Sequence, residues 1–203
     1  MNSISLPDVS VRFDRYEIFA NRIDENDVIH EYTGTVLVNT DHRSYVAGKF
    51  RLVSVQIQTA IDRDEDLFAV FDATQTLTNI QEALYRSNCC EFAPRVIKMV
   101  KSRAAESSPN LLLFDGLLVR PKYRGRCVGL LALRALMDYF RHSDFGVYAM
   151  EPFPLQCAEP AIRSSELQEE FKVFDLAKFE RSKSKATTKL RDYYARLGFR
   201  SVP

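Results

Sequence analysis

The chain reads as a single α/β (α+β) domain built around one sheet. Three observations predict this. The first third is β-rich, apolar residues recur at helical spacing on both sides of the middle, and one run, LLLFDGLLVRPKYRGRCVGLLAL from Leu111 to Leu133, holds a strand, a basic glycine-containing turn and a helix start. At 203 residues and 46% hydrophobic composition the chain is long enough to bury a substantial core without disulfides.

Taken in order, residues 9–23 and 31–39 read as strands, and 44–61 is β-rich through Val46, Phe50, Leu52, Val53, Val55 and Ile57, as one bent strand or two short ones. A charged break at 62–66 precedes Leu67, Val70, Phe71, Leu77, Ile80 and Leu84, whose spacing predicts a helix to about Arg86, interrupted near Thr74. Residues 94–101 read as a strand and 104–110 as a polar turn. Leu111–Val119 is a buried strand that ends before Pro121. A helix follows the turn at 124–129, with a further short strand at 145–150. The stretch 165–197 is helical in pattern, with a loop at 182–188 and Gly198 as a C-cap that returns Phe199 to the core.

The formal net charge of +1 gives no global electrostatic case for nucleic acid. Its distribution is uneven. Acidic residues are frequent in 1–66, whereas Arg95, Lys98, Lys101, Arg103, Arg120, Lys122, Arg124, Arg126 and Arg134 face only Glu106 and Asp115 within 95–134. Cys89, Cys90, Cys127 and Cys157 have neither CxxC spacing nor a histidine cluster, so no metal is expected. Without a signal-peptide core or an apolar run near the roughly 20 residues that span a bilayer, the reading is a reduced, cytoplasmic protein with no membrane partner.

The turn Arg124-Gly125-Arg126-Cys127-Val128-Gly129 is suited to an anion. Backbone N–H groups at a helix start have no internal partners and sit at the positive end of the macrodipole, while Arg124 and Arg126 add charge.

These residues, with the strand FGVYAME and the distal YYARLGF, resemble the GNAT superfamily of acyl-CoA-dependent N-acyltransferases over residues 111–199. The resemblance implies a largely antiparallel mixed sheet flanked by helices, with two strands splayed at the acyl-CoA site. It further implies acetyl-CoA, or another acyl-CoA, as co-substrate and an amine-bearing acceptor. In this reading the backbone of Leu117, Leu118 and Val119 holds the pantetheine arm, and the turn 124–129 holds the pyrophosphate. Tyr194, four residues before Gly198-Phe199, protonates the departing thiolate.

Asp115, inside an apolar strand, and Glu151, at the end of the next one, are the two candidates for deprotonating the amine; each also has a plain structural reading. His30, His42 and His142 have weaker claims. The chain departs from the family's pattern where Cys127 replaces the first glycine of the pyrophosphate signature and where Thr187 replaces an asparagine. The family's final strand has no counterpart after Phe199. The sheet is then completed by the N-terminal strands or by a partner chain, or the acceptor side has been lost. Residues 1–66 fit an acceptor lid or a homodimer surface. The alternative function is a non-catalytic acyl-CoA-binding or protein-interaction module on a degenerate GNAT fold.

Overall fold

The computed structural model describes residues 6–18, 28–157 and 165–202. Strands β1 (Asp8–Ile18), β2 (Ile29–Asn39), β3 (Ser44–Val55) and β4 (Leu111–Val119) pair antiparallel in sequence order, and β5 (Val147–Ala149) joins β4 in parallel. The result is a five-stranded, mostly antiparallel sheet in a mixed α/β domain.

Two cores explain the apolar run in β4. Leu111 and Leu113 project into one with Val53, Val55, Val147 and Ala149, while Leu112 and Phe114 project into the other with Phe50 and Leu52. A strand covered on both faces needs no polar alternation. The first core is closed by α1 (Ile57–Asp62), α2 (Leu67–Phe71), α3 (Gln75–Leu84) and α4 (Pro94–Val100). The second is closed by α6 (Val128–Tyr139), which carries the crossover from β4 to β5.

Several local signals act as the sequence suggests. Asp66 caps α2 by accepting from the Phe68 and Ala69 N–H groups, and Thr74 caps α3 by accepting from Leu77, which is the interruption expected there. Four expectations are corrected. Residues 94–100 form a helix rather than a strand: Pro94 stands in the first turn, and Val96 and Ile97 pack on the first core. The polar turn at 104–110 contains α5 (Arg103–Ser107), capped by Ser102. The β-rich stretch 44–61 ends as strand at Val55, after which Ile57 and Ala60, three apart and both buried, turn inward from α1.

The fourth correction is at the C-terminal end. The loop expected at 182–188 is the start of α8 (Lys183–Ala195), where buried Ala186 and the Thr188 hydroxyl bonded to the Ser184 carbonyl continue the helix. It is preceded by α7 (Ser165–Val173). Gly198, with φ of +91°, lies just past the end of α8 and turns Phe199 into the second core. Residues 19–23 of the first expected strand lie outside the described residues. The N-terminal strands extend the sheet on the far side of β3, so they do not complete it beyond β5. Among the described residues no helix is long and apolar enough to cross a membrane.

Gly146 fixes where β5 begins. Its N–H donates to the Asn110 carbonyl at 2.9 Å, and a Cβ there would lie 2.1 Å from the Ser108 carbonyl oxygen and 2.8 Å from the Phe92 ring. Gly146→Ala is therefore expected to cost about 1–3 kcal/mol of unfolding free energy. Gly116→Ala, whose Cβ would meet only the Arg51 side chain at 3.8 Å, should be neutral or gain up to about 1 kcal/mol. Urea titration of both variants checks the contrast.

Candidate functional site

The site begins where β4 and β5 part. They pair at three positions, Leu111 with Val147, Leu112 with Tyr148 and Leu113 with Ala149, after which β4 runs on to Val119 while the other chain leaves through Glu151-Pro152-Phe153-Pro154. The two prolines hold that exit out of a regular ladder. Burial follows the parting: Leu111 to Phe114 are buried, and Asp115 to Val119 only half-buried.

The parting coincides with a β-bulge. Arg51 faces Gly116 and Leu52 faces Phe114, which leaves Asp115 as the extra residue on β4. Its carboxylate lies 3.3 Å from Arg51 Nε, and Arg51 Nη2 lies 2.9 Å from Glu31 Oε2, so one guanidinium links carboxylates from β2 and β4. Asp115 thus has a structural partner that the sequence did not reveal.

Beyond Val119 a single 3₁₀ turn at Pro121–Tyr123 leads into the basic bend. Gly125 and Arg126 are exposed at its tip, with Gly125 at φ +73°. Arg124 turns inward. Its Nε donates to the Val119 carbonyl at 2.9 Å, its Nη2 donates to the Phe174 carbonyl, and its guanidinium lies 4.2 Å from the Phe179 ring centroid. Burial lowers its pKa, opposed by the nearby Asp175. Cys127 stands at the N-cap of α6 with φ +60°, a left-handed conformation that a glycine adopts without strain.

Helix α8 lies against this bend. Arg196 Nη2 reaches Cys127 Sγ at 3.9 Å, and the Tyr193 hydroxyl stands against the first turn of α6 at Gly129. A Cβ on Gly129 would stand 2.6 Å from that hydroxyl and 3.5 Å from the Leu117 and Val119 side chains. The glycine thus makes room for Tyr193, whose hydroxyl stands beside the helix start that an anion would seek. Burial raises the Tyr193 pKa, and the nearby Leu130 backbone holds it back. The sequence carried no signal for this contact beyond the paired tyrosines.

Tyr194 faces a different neighbourhood. It packs on the second core against the Phe199 ring, and it also lines a cleft of about 1050 Å³ along the outer side of β5. Burial, with a smaller contribution from Tyr193, pushes its pKa up to about 12. Glu151 and Thr187 line the same cleft, where the Glu151 carboxylate accepts from Asn79 Nδ2 at 3.3 and 3.4 Å. Of the three expected acid–base residues, Tyr194 and Glu151 line this cleft, while Asp115 sits at the bulge on Arg51.

Two measurements follow. An unfolded phenol ionises from about pH 10 whereas Tyr194 stays protonated to about 12, so its contribution is fully present below pH 10 and lost between the two values. The wild type should lose about 2 kcal/mol more than Tyr194→Phe across that window, read by denaturant titration at each pH. Cys127→Gly relieves the left-handed backbone, partly offset by a freer unfolded chain, and should raise stability by up to about 1 kcal/mol in the same assay at neutral pH.

The chain matches no family model, no curated protein and no solved structure.

Proposed function

We propose that this chain is a GNAT-type N-acyltransferase, an acetyltransferase that moves an acetyl group from acetyl-CoA directly to an amine. One observation carries the reading. A parallel strand pair separates after three positions while the bulged strand runs on into a basic bend and a helix start, which supports a ligand threaded between the strands with its anionic end at the bend. Main-chain groups at Leu117, Leu118 and Val119 then hold the pantetheine arm, and residues 124–129 hold the pyrophosphate. Exposed Arg126 supplies the charge, since Arg124 is engaged with the Val119 and Phe174 carbonyls.

In the reaction the amine nitrogen bonds to the thioester carbon, the carbon–sulfur bond breaks, and coenzyme A departs as a thiolate. The proton lost by the amine passes to a base. Glu151 is the better candidate, because it shares the cleft with Tyr194, whereas Asp115 is held by Arg51. A thiol pKa of about 8.5 lies well below that of Tyr194. Tyr194 therefore stabilises the thiolate by donating a hydrogen bond rather than by giving up its proton outright, and solvent supplies the proton that completes the thiol. Much of the rate would come from positioning the two reactants.

The second reading, a non-catalytic acyl-CoA-binding or protein-interaction module, has its own observation in favour. The Tyr193 hydroxyl already stands against the first turn of α6 at Gly129, and a side chain stands at the left-handed position 127.

Acetyl-CoA at about 100 times its dissociation constant should stabilise the native protein by about 2.7 kcal/mol, seen as a higher melting temperature, and ATP should not. Thiol release with a panel of amines separates the two readings. Tyr194→Phe should slow turnover by about tenfold to a hundredfold while leaving the acetyl-CoA stabilisation intact. Stabilisation without thiol release from any amine leaves only the acyl-CoA-binding module, and absence of stabilisation removes both the enzyme and that module, leaving the protein-interaction module.

A further inference from the structure

We propose that the cleft beside β5 binds an extended acidic peptide as an added sixth strand, and that the peptide's N-terminal amine is the acceptor; the second half rests on the acyltransferase reading above. The first support is the strand edge. Gly146 donates its N–H inward to Asn110, and a parallel ladder directs alternate residues to the same neighbour. Tyr148 therefore faces β4, and the backbone groups of Val147 and Ala149 point outward into the cleft. Among the described residues no strand pairs with that edge. Backbone donors and acceptors lining a cleft are a template for another chain's main chain.

The far wall keeps the slot open. The segment 199–202 crosses beyond β5, with Phe199 packed on the second core, Val202 on the first, and Arg200 Nη1 donating to the Met99 carbonyl at 3.0 Å. It runs past β5 without pairing to it.

Charge selects the occupant. Lys183, Arg191 and Arg200 rim the cleft, and Arg134 and Arg141 share the single carboxylate of Asp138. Among the described residues the one other carboxylate in the wall is Glu151, just past the C-terminal end of β5. A peptide running antiparallel to β5 sets its N-terminal ammonium beside Glu151 and its acidic side chains against the arginines. Tyr194 lines the same cleft. An extended segment of about five residues spans roughly 17 Å, enough to cover β5 and reach Glu151.

The test uses the full chain and fluorescein-labelled peptides of about eight residues that alternate Asp or Glu with Val or Thr and keep a free N-terminus. Anisotropy titration should show binding that weakens by about tenfold or more when lysine replaces the acidic residues. It should weaken as much when one alternate set of peptide amides is N-methylated, and little when the other set is. Lys183→Glu with Arg191→Glu, both on the exposed side of α8, should reduce affinity by about tenfold or more while circular dichroism and acetyl-CoA stabilisation stay as in the wild type.

Equal binding of both N-methylated peptides overturns strand addition. Equal binding of the lysine peptide, or equal competition by a single-stranded oligonucleotide, overturns the charge assignment. Mass spectrometry of the unlabelled peptide with acetyl-CoA should show acetylation at its N-terminal nitrogen. Peptide binding without acetylation overturns the acceptor half, and with it the enzyme reading if no amine is acetylated. Acetylation of small amines without peptide binding overturns this inference alone.

Discussion

The pairing of β4 with β5 is confined to three rungs, and the rest of the arrangement depends on that confinement. Gly146 brings β5 into register by letting the chain pass within contact distance of Ser108 and Phe92, and the prolines at 152 and 154 carry it away again. Between those limits β4 is a fully covered strand. Beyond them it keeps β3 on one side and gives up its parallel neighbour on the other, so main chain that would be spent in a ladder stays available beside α6 and α8. A longer β5 would close the opening; a shorter one would leave β4 without its parallel neighbour.

Polar groups around this opening are largely committed to holding it together. Arg124 ties the end of β4 to Phe174, Arg51 ties Asp115 to Glu31, and Tyr193 ties α8 to the first turn of α6. The contact that an anion would most disturb is Tyr193, whose hydroxyl stands beside Gly129 at the helix start. Tyr194 is left on the other side of α8, joined to the second core yet open to the cleft along β5.

That cleft and the bend are different places. The bend, with the free part of β4, lies toward α6, whereas the cleft lies along the outer edge of β5 and includes Glu151. A two-substrate reaction needs such a division, with the reacting ends meeting where the strands part. The adjacent tyrosines of α8 serve the two regions: Tyr193 stands with Leu117 and Val119 around Gly129, while Tyr194 lines the cleft.

Much of the fold was readable from residue order alone, because its signals are local. The apolar run of β4, the proline that ends it, the Thr74 cap and Gly198 at positive φ each act over a few residues. The 94–100 segment misled because its apolar residues suit either period, and only Pro94 in the first turn together with the first core selects a helix. Partners were not readable. Asp115 meets Arg51, Glu151 meets Asn79 and Tyr193 meets Gly129 across separations that no spacing rule encodes. Residue types and their order determined which chemistry this chain has to offer; tertiary packing decided which groups are consumed as struts and which face open space, since a hydrogen bond or ion pair depends on distance through space, not on distance along the chain.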